Sequence, residues 1–209
     1  MRILAGIWRL LIAAFGVMAI EAAWAVPGAW AHFGVQVTAL AAFTMLWGAA
    51  ASLIRGVHPP AWLKGAVVTY AGVTMVAAAT VMPASTLASP TRVFGLDAAA
   101  LMYWVVPAMV VLDFVLFDPH HRFRALDVLI WLIYPVVYVA FVVARAFVGA
   151  HGPGEHGSPY PFEFLDQSVL GWTGFGVSCL KALAALIVVG VVVCLLDRAL
   201  PARSRLTAE

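Results

Sequence analysis

The fold is constrained most by residues 103–141, in which two apolar runs flank the short charged segment DPHHRFR at 118–124. Each run is close to the roughly 20 residues that an α-helix needs to cross a bilayer. A helical hairpin in water would carry a polar stripe along each helix, whereas these runs are apolar nearly all round. The stretch therefore predicts a helical hairpin that lies within a membrane.

Composition extends this prediction to the whole chain. Of its 209 residues, 64% are apolar and 11% are charged, against about 25% charged in soluble domains. Glycine and proline mark most of the breaks between apolar runs. We predict an all-α polytopic membrane protein in which one domain, residues 1–209, forms a bundle of six transmembrane helices. The predicted spans are 6–26, 34–54, 64–83, 98–117, 125–148 and 170–196.

The distribution of lysine and arginine predicts the orientation. One set of ends and loops carries Arg2, Arg9, Arg55, Lys64, Arg122, Arg124, Arg198, Arg203 and Arg205. The opposite set carries only Arg92. Because cytoplasmic loops are enriched in basic residues, we expect a multi-pass protein of the cell membrane with the N- and C-termini in the cytoplasm. The loop 151–167 is then outside, as an interfacial belt of aromatic residues or as a lid over a cavity.

Several function classes lack support in the sequence. Nucleic-acid binding would need a basic patch outside the loops, and none is present. The histidines fall at span ends or in loops, which disfavours haem ligation, and His120 and His121 are expected to be solvated. No zinc-protease motif or P-loop is present, so we expect neither a metal nor a cofactor. Cys179 and Cys194 are about 22 Å apart on one helix and cannot pair.

Ionisable residues within spans are the first candidates for a site, because each costs roughly 2.5–3.5 kcal/mol at the centre of a span. Glu21, Arg145 and Lys181 are predicted in the outer halves of their spans. Glu21 could pair with Lys181 or Arg145, either to fix helix packing or as the wall of a polar pocket. Asp113, near the inner end of span four, is expected to reach the inner surface near Arg122 or Arg124 and to be structural.

Two spans add polar and aromatic candidates. Span five places Trp131, Tyr134, Tyr138, Phe141 and Arg145 on one face, as bundle core or as a ligand site. Tyrosine hydroxyls in hydrocarbon need partners, so this face should look inward. Span two has small residues along one line, which favours close helix packing. The expected pocket in the outer half contains Glu21, His32, Gln36, Thr38, Tyr103, Tyr134, Tyr138, Arg145 and Lys181.

Four segments carry a family resemblance: HFGVQVT at 32–38, YWVVPAMVVLDFVLFDP at 103–119, WLIYPVVYVAFVVAR at 131–145 and YPFEFLD at 160–166. With these segments the chain resembles the bacterial six-helix "Pr-six-Pr" membrane proteins, distant relatives of the androgen-induced-gene and androgen-dependent membrane hydrolases of animals. The resemblance implies a six-span bundle. In the animal relatives it also implies hydrolysis of fatty-acid esters of hydroxy fatty acids, with a threonine nucleophile in span two and an assisting histidine in span four.

The chain departs from this pattern at both catalytic positions. Gly34 stands where the threonine is expected and Tyr103 where the histidine is expected. Thr38 lies one turn from Gly34, and His32 could face Tyr103, so a displaced catalytic site would use Thr38, His32 and Tyr103. The departures favour a membrane protein with an outward-facing pocket that binds lipid or fatty-acyl ligands without catalysis. A threonine-type lipid-ester hydrolase is the first alternative.

A small-molecule transporter is the second alternative. It is disfavoured because no inverted repeat is evident and because the inner halves of the spans are expected to be apolar. The expected partners are membrane lipids and a fatty-acyl ligand, and no nucleic acid.

Overall fold

The computed structural model describes residues 2–81, 91–154 and 157–202 of the chain. Its six long helices are α1 (Arg2–Ala23), α2 (Phe33–Ile54), α3 (Ala61–Thr80), α4 (Ala98–Phe117), α5 (Asp127–Phe147) and α6 (Gln167–Ala199). All six are long and apolar enough to cross a membrane, and the described residues contain no β-strand. The prediction of an all-α, six-span membrane protein is confirmed, and every predicted boundary that the described residues cover lies within four residues of a helix end.

Some sequence predictions fall outside the described residues. These are the break at Pro83 and Pro90, the basic residues Arg203 and Arg205, and Glu155 and His156 in the outer loop. Below, the terminal side of the bundle is the side with residue 2, the α2–α3 and α4–α5 connections and residue 199. The side with the α1–α2 and α5–α6 connections is called the opposite side.

Helices α1 and α2 pack closely because small residues face each other across their interface. A Cβ atom added to Gly16 would lie 3.0 Å from the Cβ of Ala42 and 3.6 Å from the Thr38 methyl group. A Cβ added to Gly48 would lie 3.3 Å from Cδ of Arg9. Small residues permit this approach of backbones, on which helix association in lipid depends. The predicted packing face of span two, to which Gly48 belongs, therefore lies against α1.

Helix α4 contains a π-helical turn at Leu101–Val105, in which the amide of Val106 donates to the carbonyl of Leu101. Pro107 follows this turn, and it has no N–H to donate to the carbonyl of Tyr103 four residues earlier. In the π-helical turn, each amide donates to the carbonyl five residues earlier instead of four. The extra residue lets the helix continue through Pro107, which cannot donate. Tyr103 lies within this turn and is 3% exposed.

The largest core cluster takes side chains from all six helices and includes Trp131, which is 1% exposed. The indole of Trp131 donates to the carbonyl of Trp62 at 2.8 Å, and its own carbonyl accepts from the Tyr70 hydroxyl at 2.6 Å. Gly65 permits this arrangement, since an added Cβ would lie 2.1 Å from Cζ2 of Trp131. Helix α6 is kinked at Gly171, where φ is 65°.

Candidate functional site

An apolar cavity of about 870 Å³ lies between α3, α4, α5 and α6. It is closed toward the opposite side by the start of α2 and by Phe162, Phe164 and Leu165 of the loop before α6. Its volume falls in the range of about 300–1,000 Å³ that is typical of ligand sites. Such a space, lined mainly by apolar side chains, is suited to hydrocarbon.

Lys181 is the one charged side chain among the described residues that line this cavity. It is exposed, and it makes no hydrogen bond or ion pair with any part of the chain that the structure describes. An ammonium group within a membrane span is costly unless it is paired or reaches water. Among the described residues, the cavity lining thus includes a single positive charge and no counter-ion.

Glu21, the predicted partner of Lys181 or Arg145, is placed elsewhere. It is exposed on α1 and is not among the residues that line the cavity. Within the described residues it forms an ion pair with neither cation. The proposed pairing was wrong, because the outward face of α1 at this level carries Glu21 away from α5 and α6.

Arg145 binds the loop 148–166 between α5 and α6 and does not line the cavity. Its guanidinium donates to the carbonyls of Pro159, His151 and Gly152 at 2.8, 3.0 and 2.8 Å, and it lies over the Trp30 ring. These contacts link α5 to both ends of the loop. Arg145 thus holds in place the segment whose Phe162 and Leu165 close the cavity.

Asp166 supports the same loop from its other end. It accepts hydrogen bonds from the Ser158 hydroxyl at 2.6 Å and from the Ser168 amide at 2.9 Å. Although burial raises the pKa of this carboxyl group, the hydrogen bonds from Ser158 and Ser168 hold it below its ordinary value. Tyr160 and Phe162 are buried against α5, so the loop is a packed cover and not only an interfacial belt.

The two positions at which the chain departs from the family pattern are in direct contact. A Cβ added to Gly34 would lie 2.5 Å from Cε1 of Tyr103 and 2.7 Å from its hydroxyl oxygen. The tyrosine ring therefore occupies the space that any side chain at position 34 would need. Tyr103 in this position therefore requires a glycine at position 34.

The structure does not bring His32 and Thr38 together. They are six residues apart, a rise of about 9 Å along a helix. The His32 ring packs edge-on against Phe162 at 5.3 Å and its Nδ1 has no hydrogen-bond partner among the described residues, whereas the Thr38 methyl group faces Gly16 of α1. Burial lowers the pKa of His32 to about 4, with a smaller contribution from the charge of Arg145. The histidine lies toward the loop and the threonine toward α1, so no base is placed beside the Thr38 hydroxyl.

The predicted aromatic face of α5 does look inward, and its hydroxyl groups have partners. The Tyr134 hydroxyl donates to Oε1 of Gln36 at 2.6 Å, and the Gln36 amide donates to the carbonyl of Trp30 at 3.1 Å. The Tyr138 hydroxyl donates to the carbonyl of Ala31 at 2.9 Å. Of these residues only Tyr138 lines the cavity. Gln36 and Tyr134 instead join α2 to α5 beside it.

Sequence reasoning missed a cluster of four buried charges on the terminal side, formed by Arg9, Lys64, Asp113 and Asp118. Arg9 contacts Asp113 at 3.0 Å and Asp118 at 2.7 Å, and Lys64 contacts the same two residues at 2.6 and 3.0 Å. Arg9 also donates to the hydroxyl of Ser52 at 3.0 Å. This buried charge cluster joins α1, α2, α3 and α4.

The cluster corrects two predictions. Asp113 is fully buried and pairs with Arg9 and Lys64, so the expectation that it reaches the surface near Arg122 or Arg124 was wrong. The inner halves of the spans were expected to be apolar, yet they hold this cluster. Two cations and two anions at one end of the spans could have been matched from the sequence by their equal number and similar depth.

The α4–α5 connection is anchored to α6 by Asp197, which is fully buried. Asp197 accepts from the backbone amides of Arg122 and Phe123, both at 2.9 Å. His120 is 4% exposed, and its Nδ1 lies 3.6 Å from Oδ1 of Asp197. The expectation that His120 is solvated was wrong, because the connection folds against the end of α6.

Comparison of the chain with protein-family models, with curated proteins and with solved structures finds no match. The resemblance to the "Pr-six-Pr" membrane proteins therefore stays a prediction from four sequence segments. The described residues contain no group of three or more histidine, cysteine or acidic side chains that could hold a metal ion. The fold and the site thus rest on the chain's own geometry: a six-helix bundle and an apolar cavity lined by Lys181, which has no partner among the described residues.

Proposed function

We propose that this chain is a multi-pass protein of the cell membrane, with both termini in the cytoplasm, that binds a lipid carrying a fatty-acyl chain and an anionic head group. One observation carries the proposal: the apolar cavity of about 870 Å³ is lined by a lysine, Lys181, that has no counter-ion among the described residues. A ligand that supplied both hydrocarbon and a negative charge would satisfy the two features together.

The energetic argument has two parts. Apolar surface in the cavity favours an acyl chain by contact and by exclusion of water. An anionic group beside Lys181 would replace hydration of the ammonium with a charge-assisted hydrogen bond, which is worth about twice a neutral one. Neither part needs a catalytic group.

Binding is supported better than hydrolysis. A threonine becomes a nucleophile when a neighbouring base takes its proton. Thr38 faces Gly16 of α1 and does not line the cavity, and His32 points toward the outer loop. An ester held in the cavity would therefore meet neither of the groups that a displaced hydrolase site requires.

The proposal is tested with purified protein in phosphatidylcholine nanodiscs and a photoactivatable analogue of palmitic acid. We expect saturable labelling that unlabelled palmitate competes away. Lys181→Met should weaken apparent affinity about tenfold, since this is the effect of losing about 1.4 kcal/mol of interaction, and Lys181→Arg should retain most of it.

Glu21→Gln is the matched control, because it neutralises an ionisable residue of a span outside the cavity. Its affinity should equal that of the wild type. Labelling of the wild type that does not saturate, or equal affinity in Lys181→Met, would contradict the proposal.

A further inference from the structure

Ser178 of α6 carries a hydroxyl group that the protein itself does not use. The part of the chain that the structure describes contains four serines, Ser52, Ser158, Ser168 and Ser178. The first three hydroxyls have acceptors: that of Ser52 donates to the carbonyl of Gly48 at 2.7 Å, and the other two donate to Asp166. The Ser178 hydroxyl makes no hydrogen bond with any described residue.

This hydroxyl is also accessible from the cavity. A serine in a membrane helix commonly donates to the carbonyl four residues earlier in its own helix, as Ser52 does. For Ser178 that carbonyl belongs to Gly174, and the described residues show no such bond. The Ser178 side chain is half-buried and lines the cavity. It therefore offers a hydrogen-bond donor to a ligand in that space.

Ser178 lies one helical turn before Lys181. Residues three positions apart in an α-helix share a face, with Cβ atoms about 5–6 Å apart. Both side chains line the cavity, and neither has a partner among residues 2–81, 91–154 and 157–202. One ammonium group and one hydroxyl group are thus available to the same ligand. A carboxylate has two acceptor oxygens, which is one for each of these donors.

The two donors lie where a ligand arrives through hydrocarbon. Lys181 is near the middle of α6, and the loop before α6 closes the cavity toward the opposite side. The cavity lining nevertheless includes two exposed apolar side chains, Val136 of α5 at 58% and Leu180 of α6 at 66%. In a membrane these side chains contact lipid, so the cavity opens sideways to the bilayer between α5 and α6.

A carboxylic acid is the anionic head group that suits this position. A permanently charged group would have to carry its charge into hydrocarbon, which is costly. A carboxylic acid can enter in its neutral form and ionise beside the ammonium of Lys181, its proton passing to water, because a neighbouring positive charge favours the anion. A carboxylate also matches the single cation of the described lining, whereas a phosphate monoester carries about −1.5 to −2 charges.

We propose that Ser178 and Lys181 form a carboxylate-binding pair that selects free fatty acids entering the cavity from the bilayer. The Lys181 ammonium pairs with one carboxylate oxygen, and the Ser178 hydroxyl donates to the other. The inference rests on the proposed function, since it names the class of the same ligand and assigns Ser178 as its second polar contact. A phosphate lipid offers similar anionic oxygens, and the experiment distinguishes the two.

The test uses Ser178→Ala, which removes the hydroxyl and leaves Lys181 in place. In phosphatidylcholine nanodiscs, its affinity for the photoactivatable palmitate should fall about tenfold, as expected for loss of a hydrogen bond to a charged group. Its affinity for hexadecanol, measured by competition, should fall less, because a neutral hydrogen bond is about half as strong. The thermal midpoint of the unliganded protein should be unchanged, which separates a ligand contact from a structural role.

Thr173→Ala is the matched control, because Thr173 is an exposed hydroxyl residue of the same helix and does not line the cavity. Its palmitate affinity should not change. Equal palmitate affinity in Ser178→Ala and wild type, with the loss retained in Lys181→Met, would overturn this inference and leave the proposed function standing.

The class of head group is tested by competition on the wild type, where hexadecyl phosphate should compete less strongly than palmitate. If hexadecyl phosphate competes more strongly, the site takes a phosphate and the carboxylate assignment is wrong. If the wild type binds neither, both proposals fail together.

Discussion

The charge cluster on the terminal side and the cavity in the other half of the bundle differ in how their polar groups are paired. On the terminal side, Arg9 and Lys64 each contact both Asp113 and Asp118, so the two positive charges and the two negative charges compensate each other. In the other half, Lys181 and Tyr103 line a cavity. The described residues offer no partner to the Lys181 ammonium or to the Tyr103 hydroxyl, which is buried against Gly34.

Polar groups that are paired within the protein stabilise the fold, whereas unpaired polar groups can bind a ligand. A buried ion pair is neutral as a unit, and it binds nothing further once its hydrogen bonds are made. Unpaired groups in a low-dielectric region are costly, and their cost falls when a ligand supplies the missing charge or acceptor. The terminal half is therefore the part that fixes helix packing, and the other half is the part that can respond to a ligand.

The largest expected loss of stability comes from removing one negative charge of the buried charge cluster on the terminal side. Asp113→Asn removes one of the two negative charges and leaves Arg9 and Lys64 with a single buried carboxylate between them. Leaving a buried charge unpaired costs about 3–5 kcal/mol. We expect a loss of this size in the free energy of unfolding, measured by equilibrium unfolding in mixed SDS and maltoside micelles.

The control for this change is Glu21→Gln, which removes a charge from an exposed position and should alter stability by less than about 0.5 kcal/mol. Adding Arg9→Met to Asp113→Leu restores charge balance, because Lys64 then pairs with Asp118. The double variant should lose less than the sum of its two single variants. Additive losses would show that the cluster does not act as a compensated unit.

The second expected effect is a loss of stability at low pH, caused by protonation of His32 in the half of the bundle that contains the cavity. Burial gives His32 a pKa of about 4, below the ordinary value of about 6.5. Between these values the folded state binds fewer protons than the unfolded state, so stability is full above pH 6.5 and falls as pH drops toward 4. The loss attributable to His32 is up to about 3 kcal/mol at pH 4, at 1.36 kcal/mol for each pH unit.

His32→Gln isolates this contribution, because glutamine is polar and does not titrate. From pH 7 to pH 4, the unfolding free energy of the wild type should fall by up to about 3 kcal/mol more than that of the variant. Parallel pH profiles for the two proteins would show that the imidazole is not buried in its neutral form.

The smallest effect tests the fit between Gly34 and Tyr103. Gly34→Ala places a methyl group 2.5 Å from the tyrosine ring, and overpacking of this kind costs about 1–3 kcal/mol. The better helix propensity of alanine returns up to about 1 kcal/mol, so we expect a net loss of about 1–2 kcal/mol. Unfolding in mixed micelles measures it.

Tyr103→Leu should relieve the effect of Gly34→Ala, because leucine leaves space beside the first turn of α2. The two substitutions together should be more stable than the sum of the single effects predicts. A Gly34→Ala variant as stable as the wild type would mean that α4 moves away from α2 at little cost.

The sequence contained enough information for the six spans, since backbone groups in hydrocarbon must pair within their own helix and only long apolar runs can do so. It also brought Lys181 forward as a site candidate, because ionisable groups in such runs are rare, and Tyr103 through the family resemblance. The sequence could not give the position of Glu21, whose outward placement follows from the rotation of α1 about its axis. Nor could it separate His32 from Thr38, which share a helix but face different neighbours.

Hydropathy and helix breaks are local properties, and the sequence determined by itself that this chain is an all-α membrane bundle with six spans in these places. Only the tertiary structure decided which polar groups have an ion-pair or hydrogen-bond partner within the protein. Arg9 and Asp113 are 104 residues apart in the chain, and Gly34 meets Tyr103 from another helix. Such contacts depend on the choice of neighbour, the rotation of each helix and the π-helical turn before Pro107, which the packing of all six helices sets together.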